Sequence, residues 1–276
     1  MRELTQLRLV SRMWELEREL NGNERDIPAL AVIGAGRVGR AIHRAARAEG
    51  IDSTLAGRAD AAEACESAEI ALLCVPDGAI EEACEAIADA PELRFVGHTS
   101  GATGLEALRA ATTRGAATFG LHPLQTITDD NPELIGASCA VSGSTLEAVA
   151  LARSLAQRLG MRSLELPEEL RAAYHAAASI ASNFLVALEE SAAQLLERAG
   201  VENGRELLAP LVLRSAANWA QRGPEALTGP IARGDEATVE RHLEAIEAAM
   251  PELLDLYKVL AERTRSLAAA DSEVAA

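Results

Sequence analysis

The sequence predicts an α/β protein: a doubly wound, mostly parallel sheet with helices on both faces, followed by an all-helical domain. From Pro28 onward, short apolar runs such as "ALAVIG", "EIALLCVP", "LRFVGHTSG", "AATFGLHP" and "ASCAVSG" alternate with alanine-rich segments of helical periodicity. That alternation is the mark of β-α-β units on a parallel sheet. The runs are apolar on both faces, as strands covered by helices on each side must be. After "RSLELP", ending at Pro167, strand signals stop, and three helical stretches follow: Glu168 to Ala199, Glu202 to Gln221 and Glu236 to Leu267. The expected organisation is an N-terminal helical extension over 1–27, the sheet domain over 28–167, the helical domain over 168–268 and a frayed tail over 269–276.

Composition narrows the function classes. With 276 residues, 49% apolar and 25% charged, the chain can bury one large core or two small ones. A formal charge of −16 argues against nucleic-acid binding, which needs clustered Lys and Arg to displace condensed counterions. Cys65, Cys74, Cys84 and Cys139 form no CxxC pair and no zinc-like spacing, which suits reduced thiols in a cytoplasm and core filling. The opening "MRELTQLRLVSRMWELEREL" is interrupted by charges throughout, so it is no export signal, and its apolar residues recur at helical spacing. An upstream start-site artefact is the other explanation for this extension. The apolar stretch "ASNFLVAL" runs too quickly into Glu189 and Glu190 to cross a bilayer.

The first strand leads into "GAGRVG", where Gly34, Gly36 and Gly39 stand in the GxGxxG arrangement and a helix follows. Gly34 suits a tight turn, Gly36 lets the backbone approach a pyrophosphate, and Gly39 allows close helix-to-strand packing. The helix start, with Arg37 and Val38, offers free N–H groups and a positive dipole end to an anion. Such sites for NAD place an acid about 20 residues further on, at the end of the second strand. This chain has Ala56, Gly57 and Arg58 there. An arginine fork pairs with a 2′-phosphate, so NADP is expected over NAD; the plain alternative for Arg58 is a solvated surface residue.

Ligands of open α/β sheets bind beyond the carboxyl ends of strands. Val75, Pro76, Thr99, Ser100, His98 and His122 all fall at such ends. Strand termination explains Pro76 and Pro123, and turn formation explains Thr99 and Ser100, alongside any cofactor contact. In "AYHAAASIASN", His175, Ser179 and Asn183 recur every four residues. On a helix each is turned by only about 40° from the last, so the three form one polar row.

Together, "GAGRVG", "CVPDGAI", "HTSGA", "HPLQT", "YHAAASIASN" and "LTGPIARGD" resemble Rossmann-like proteins with a C-terminal helical domain of unknown function. These lie in the wider class of ketopantoate reductase, pyrroline-5-carboxylate reductase and β-hydroxyacid dehydrogenases. The resemblance covers about Pro28 to Leu267 and leaves out the N-terminal extension. It implies an NADP-linked oxidoreductase acting on a small carbonyl or imine, with a ketopantoate-like 2-keto acid the best single guess, and a homodimer formed through the helical domain. Ketopantoate reductase is similar in carrying a lysine and two asparagines at four-residue spacing on the first helix after its sheet domain. His175, Ser179 and Asn183 match the spacing, but the first two differ in identity. A histidine still serves as a general acid, with a charge that depends on pH and neighbours. His175, Ser179 and Asn183 are thus the catalytic candidates, and His122, Thr228 and Arg233 the substrate-side ones. Asn183 is expected to be buried and in need of partners, Asp235 to be an N-cap, and Pro230 to lie in a first turn behind a Thr228 cap.

Other classes are less well supported. His98, His122 and His175 are too far apart in sequence to form a zinc signature, and "GHTSG" does not match the GxSxG elbow of a serine hydrolase. The replacement of lysine by His175 keeps open a non-catalytic NADP(H)-binding sensor.

Overall fold

The computed structural model of the protein describes residues 27–128 and 133–274; most of the expected N-terminal extension lies outside them. The chain forms two compact units that divide between Ala178 and Ser179.

The first unit holds a seven-stranded sheet. Its strands are β1 (Leu30–Ile33), β2 (Ser53–Ala56), β3 (Ile70–Leu73), β4 (Phe95–His98), β5 (Ala117–Leu124), β6 (Ser138–Gly143) and β7 (Arg162–Glu165), in the order β2-β1-β3-β4-β5-β6-β7. Every neighbouring pair is parallel except β5 with β6, so β6 and β7 run against the other five. The helices of this unit are α1 (Arg37–Ala48), α2 (Ala61–Cys65), α3 (Ile80–Ile87), α4 (Arg109–Thr113), α5 (Leu146–Arg158) and α6 (Arg171–Ser179).

Alternation along the strands decides the layering. In β1, Leu30 and Val32 join one core with Ile42 of α1 and Leu155 of α5, while Ala31 and Ile33 join another with Cys65 of α2 and Ile80 of α3. Both sets are fully buried, which is why these strands read as unbroken apolar runs. Each buried Leu, Ile or Phe contributes roughly 1.5–3 kcal/mol of transfer free energy.

The register places the strand ends in line. Ile33 pairs with Leu73, Leu73 with His98 and His98 with Gly120. The loops after β1, β3 and β4, and the residues of β5 beyond Gly120, therefore share the carboxyl edge of the sheet. Strand order reverses at β1, between β2 and β3, which is the position where such sheets bind ligands.

The second unit continues α6 through a π-helical turn (Ile180–Phe184) into α7 (Leu185–Arg198), followed by α8 (Gly204–Arg222), α9 (Pro230–Arg233), α10 (Glu236–Ala249) and α11 (Leu254–Val274). Three expectations need correction. The stretch Glu236 to Leu267 is two helices, because Pro251 has no N–H to continue the ladder and holds Met250 out of the helical conformation (φ −155°, ψ 66°). The alanine-rich tail stays helical as far as Val274, in keeping with alanine's propensity. The cap of α9 is Gly229 rather than Thr228, with Pro230 in the first turn as expected. Asp235 caps α10, accepting a hydrogen bond from the Thr238 N–H at 3.1 Å.

Candidate functional site: a glycine turn and an imidazole slot on one sheet edge

The glycines behave as their spacing requires. Gly34 has φ +113°, and a Cβ there would lie 2.3 Å from the Cys74 carbonyl oxygen. A Cβ on Gly39 would lie 1.9 Å from the Gly34 carbonyl oxygen, so the start of α1 presses directly on the turn. Gly36 is different: it is the N-cap of α1, it is exposed, and a Cβ would meet nothing within 4 Å. No side chain caps α1. Its first N–H groups and positive dipole end face open space above Gly36, which suits a pyrophosphate. Val38 packs against one core and Val75 against the other, so these two shape the turn from behind. Arg37 is exposed beside it.

Arg58, just past β2, is exposed and forms an ion pair with Glu82 in the first turn of α3. Its guanidinium is thus within reach of an anion at the β2 end, with a carboxylate already competing for it.

At the β3 and β4 ends, Pro76 is exposed and starts a 3-10 turn at Asp77. Thr99 donates its N–H to the Leu73 carbonyl at 3.1 Å. Ser100 is buried, and its Oγ accepts from the N–H groups of Ala102 (3.1 Å) and Thr103 (2.9 Å). Ser100 therefore builds the turn, as serines in such loops do.

Around that turn the structure assembles a cluster that the sequence only partly announces. His122 on β5 has its Nδ1 2.8 Å from the Tyr174 hydroxyl, and the ring centroids of His122 and His175 are 6.2 Å apart. A Cβ on Gly101 would lie 2.8 Å from His122 Nε2 and 2.9 Å from His175 Nδ1. The missing side chain of Gly101 thus lets an imidazole nitrogen of each ring close onto its backbone, a narrow slot that a Cβ would not fit. Among the described residues, His175 Nδ1 is buried with no hydrogen-bond partner, a condition that buried polar atoms rarely tolerate.

Beneath the slot, the fully buried His98 accepts the Ser100 N–H on Nδ1 at 3.2 Å, with its Nε2 3.3 Å from the Gly104 carbonyl. Arg171 is 5% exposed; its Nε contacts both Glu168 carboxylate oxygens at 3.0 and 3.2 Å, and its Nη2 donates to Ser142 Oγ at 3.1 Å. Burial, then the neighbouring His175 and Arg171, pushes His122 down to about 4. Burial also raises the Tyr174 phenol to about 12. Near neutral pH, then, His122 is an uncharged imidazole beside a protonated phenol.

The sequence candidates fare differently. His122 and His175 are brought together at the slot. Ser179 ends α6, and Asn183 falls in the π turn, where it is exposed rather than buried. A π turn has about 4.4 residues per turn, so Ser179 and Asn183 do not keep the α-helical offset that the spacing implied. Thr228 and Arg233 line one cavity of about 300 Å³ in the helical unit, with Pro224, Glu225, Leu227 and Ala232. Sequence reasoning missed Tyr174 and Arg171. Arg171 was legible in principle, since it continues the four-residue spacing backward from His175, and Tyr174 is His175's immediate neighbour. Among the described residues, no group of three or more His, Cys, Asp or Glu side chains can hold a metal ion, and no helix is long and apolar enough to cross a membrane.

Comparison with known proteins supports the same architecture. The chain is similar in fold to a proposed NADP oxidoreductase from Bacteroides fragilis (TM-score 0.72, 21% identity, covering 87% of this chain and 99% of that one). It is equally similar to a protein from Thermotoga maritima (TM-score 0.71, 22% identity, covering 88% and 100%). A reductive aminase from Aspergillus terreus, solved with NADPH and ethyl-5-oxohexanoate, also shares the fold (TM-score 0.62, 18% identity, covering 86% and 93%). No curated protein matches the sequence. Residues 21–123 match the Rossmann-like domain family and residues 137–264 match the family described as a domain of unknown function, DUF2520. The chain therefore combines a Rossmann-like domain with a DUF2520 domain.

Proposed function

We propose that the protein is an NADPH-dependent oxidoreductase that reduces a small carbonyl or imine, with 2-keto acids such as ketopantoate the first substrates to try. The observation that carries this reading is the shared edge: the glycine turn and the imidazole slot both lie at the carboxyl ends of strands of one sheet. From β1 to β5 is three strand spacings, roughly 14 Å, a distance an extended dinucleotide spans. The reductases among its structural relatives support the same reading.

A reduced nicotinamide dinucleotide supplies hydride when bound. The residues of the chain do the rest. The N–H groups at the start of α1, opened by Gly36, hold the pyrophosphate, and Arg58 favours the 2′-phosphate in competition with Glu82. His175 gives a proton to the atom that gains charge as hydride arrives, and His122 orients the substrate. Thr228 and Arg233 remain candidates for substrate positioning on the cavity they share, whereas the π turn removes the spacing argument for Ser179 and Asn183.

A cytoplasmic setting belongs to this reading and is supported by four free, buried cysteines. A homodimer through the helical unit does too, supported by exposed Phe184, Leu207, Leu211, Leu213 and Trp219; mass measured by light scattering tests it. The reductase reading is tested by NADPH oxidation over a panel of 2-keto acids and cyclic imines. Tight NADPH binding without turnover of any of them would favour the sensor.

A further inference from the structure

His98 is fully buried at the carboxyl end of β4, and no step of the proposed reaction uses it. Its two ring nitrogens join the two ends of the loop that follows, residues 99–104. Nδ1 meets the Ser100 N–H at 3.2 Å, and Nε2 lies 3.3 Å from the Gly104 carbonyl oxygen. Both partners are backbone groups with a single role: an amide N–H only donates and a carbonyl oxygen only accepts. Nδ1 therefore accepts and Nε2 carries the hydrogen. A second proton would set Nδ1–H against the Ser100 N–H, hydrogen to hydrogen. Burial is the largest influence on the ring and holds it below the ordinary histidine range; Arg171 acts the same way, while the Gly104 carbonyl, Asp77 and Glu106 favour the charged form. His122 faces His98 as well. Within the loop, Ser100 Oγ accepts from the Ala102 and Thr103 N–H groups, and the Gly101 backbone is where the rings of His122 and His175 close in.

We infer that His98 is a neutral clasp, with its hydrogen on Nε2, that holds the two ends of loop 99–104 together and so positions the Gly101 backbone on which His122 and His175 pack. His98 is thus a positioning residue that acts through Gly101, and its bearing on turnover rests on the reductase reading. Two substitutions each keep half of the clasp. Asparagine places its carbonyl oxygen where Nδ1 lies, and glutamine places its amide nitrogen where Nε2 lies. His98→Asn therefore keeps an acceptor for the Ser100 N–H, and His98→Gln keeps a donor for the Gly104 carbonyl. Both variants lack the ring, so the difference between them reads the loop and not the missing imidazole.

Amide hydrogen exchange in ¹⁵N-labelled full-length protein at pH 7 measures the clasp. The Ser100 N–H is expected to be protected in the parent and in His98→Asn, and to exchange about tenfold faster in His98→Gln, the worth of one buried hydrogen bond. Equal Ser100 rates in the parent and His98→Gln overturn the inference. In long-range proton–nitrogen spectra of the same samples, the ring signals of His122 and His175 are expected to move further in His98→Gln, which frees the residue beside Gly101, than in His98→Asn. Equal displacements overturn the positioning role. The unaltered protein supplies a test that needs no variant to fold: His98 is expected to be protonated on Nε2 alone and to stay neutral as pH falls through about 6.5, where an ordinary histidine gains a proton. A ring protonated on Nδ1, or one that titrates near 6.5, overturns the clasp. In turnover assays, His98→Gln is expected to lower kcat roughly ten- to a hundredfold with NADPH affinity retained, and an unchanged kcat in an active enzyme counts against its part in the site. A protein with the expected His98 tautomer and Ser100 protection that oxidises no NADPH would defeat the reductase reading while leaving the clasp in place.

Discussion

Gly36 and Gly39 stand three residues apart in one motif, yet the structure predicts opposite consequences for Gly36→Ala and Gly39→Ala. At Gly36 the backbone is extended (φ −73°, ψ −175°), a conformation alanine adopts freely, and the new methyl meets nothing within 4 Å. The folded protein should hardly notice: a poorer N-cap and a stiffer unfolded chain each amount to about 1 kcal/mol or less and oppose one another. The methyl instead fills the space that a pyrophosphate must enter to reach the N–H groups of α1. NADPH is expected to bind ten- to a hundredfold more weakly, equivalent to about 1.4–2.8 kcal/mol. Gly39→Ala drives its methyl to 1.9 Å from the Gly34 carbonyl oxygen, where only backbone movement gives relief. A loss of about 2 kcal/mol or more is expected, and a Tm lower by roughly 4–8 °C. Thermal unfolding and titration of NADPH fluorescence measure both quantities on both variants. A Gly36→Ala protein that binds NADPH as tightly as the parent would refute the assignment of this turn to the cofactor.

Other expectations follow from the same geometry. Arg58→Asp should weaken NADPH binding about ten- to a hundredfold and leave NADH binding nearly unchanged, because only the former loses a charge-assisted contact; equal losses would remove Arg58 from its role. Glu82→Gln frees Arg58 from its carboxylate partner and should tighten NADPH binding several-fold, with little effect on stability since the pair is exposed. His175→Ala should abolish turnover while cofactor affinity is retained, and unchanged turnover would reduce it to a structural residue. His122, held down to about 4 by burial and then by His175 and Arg171, binds fewer protons folded than unfolded between that value and the ordinary one near 6.5. Its contribution to stability is therefore complete above pH 6.5 and is lost as pH falls toward 4. Urea midpoints across that window should fall less steeply in His122→Asn than in the parent, and parallel curves would contradict the assignment.

Much of this architecture is written in local patterns. The strands of the first unit were legible because burial on two faces leaves unbroken apolar runs, and the glycine motif because each glycine meets a distinct backbone demand. The reversal at β5 and β6 was not legible, since an apolar run carries no record of strand direction. Pro251 could have been read as a helix break and was passed over in a long periodic stretch. The site divides along the same line. His175 stood out by its spacing on one helix, whereas the slot depends on Gly101, His122 and Tyr174 meeting from a loop, a strand and a helix. Nothing in the text "TSGA" says that the glycine's missing side chain is what lets two imidazoles close onto the backbone there. Asn183 shows the converse, a regular spacing whose geometry a π turn alters and whose side chain lies in solvent.

The most direct test of the reductase assignment is NADPH oxidation by the purified protein across 2-keto acids, simple ketones and cyclic imines, with His175→Ala measured alongside. The account predicts turnover of a carbonyl or imine substrate that prefers NADPH to NADH and disappears in the variant. Turnover that survives in His175→Ala, or none with any substrate despite tight NADPH binding, would contradict it.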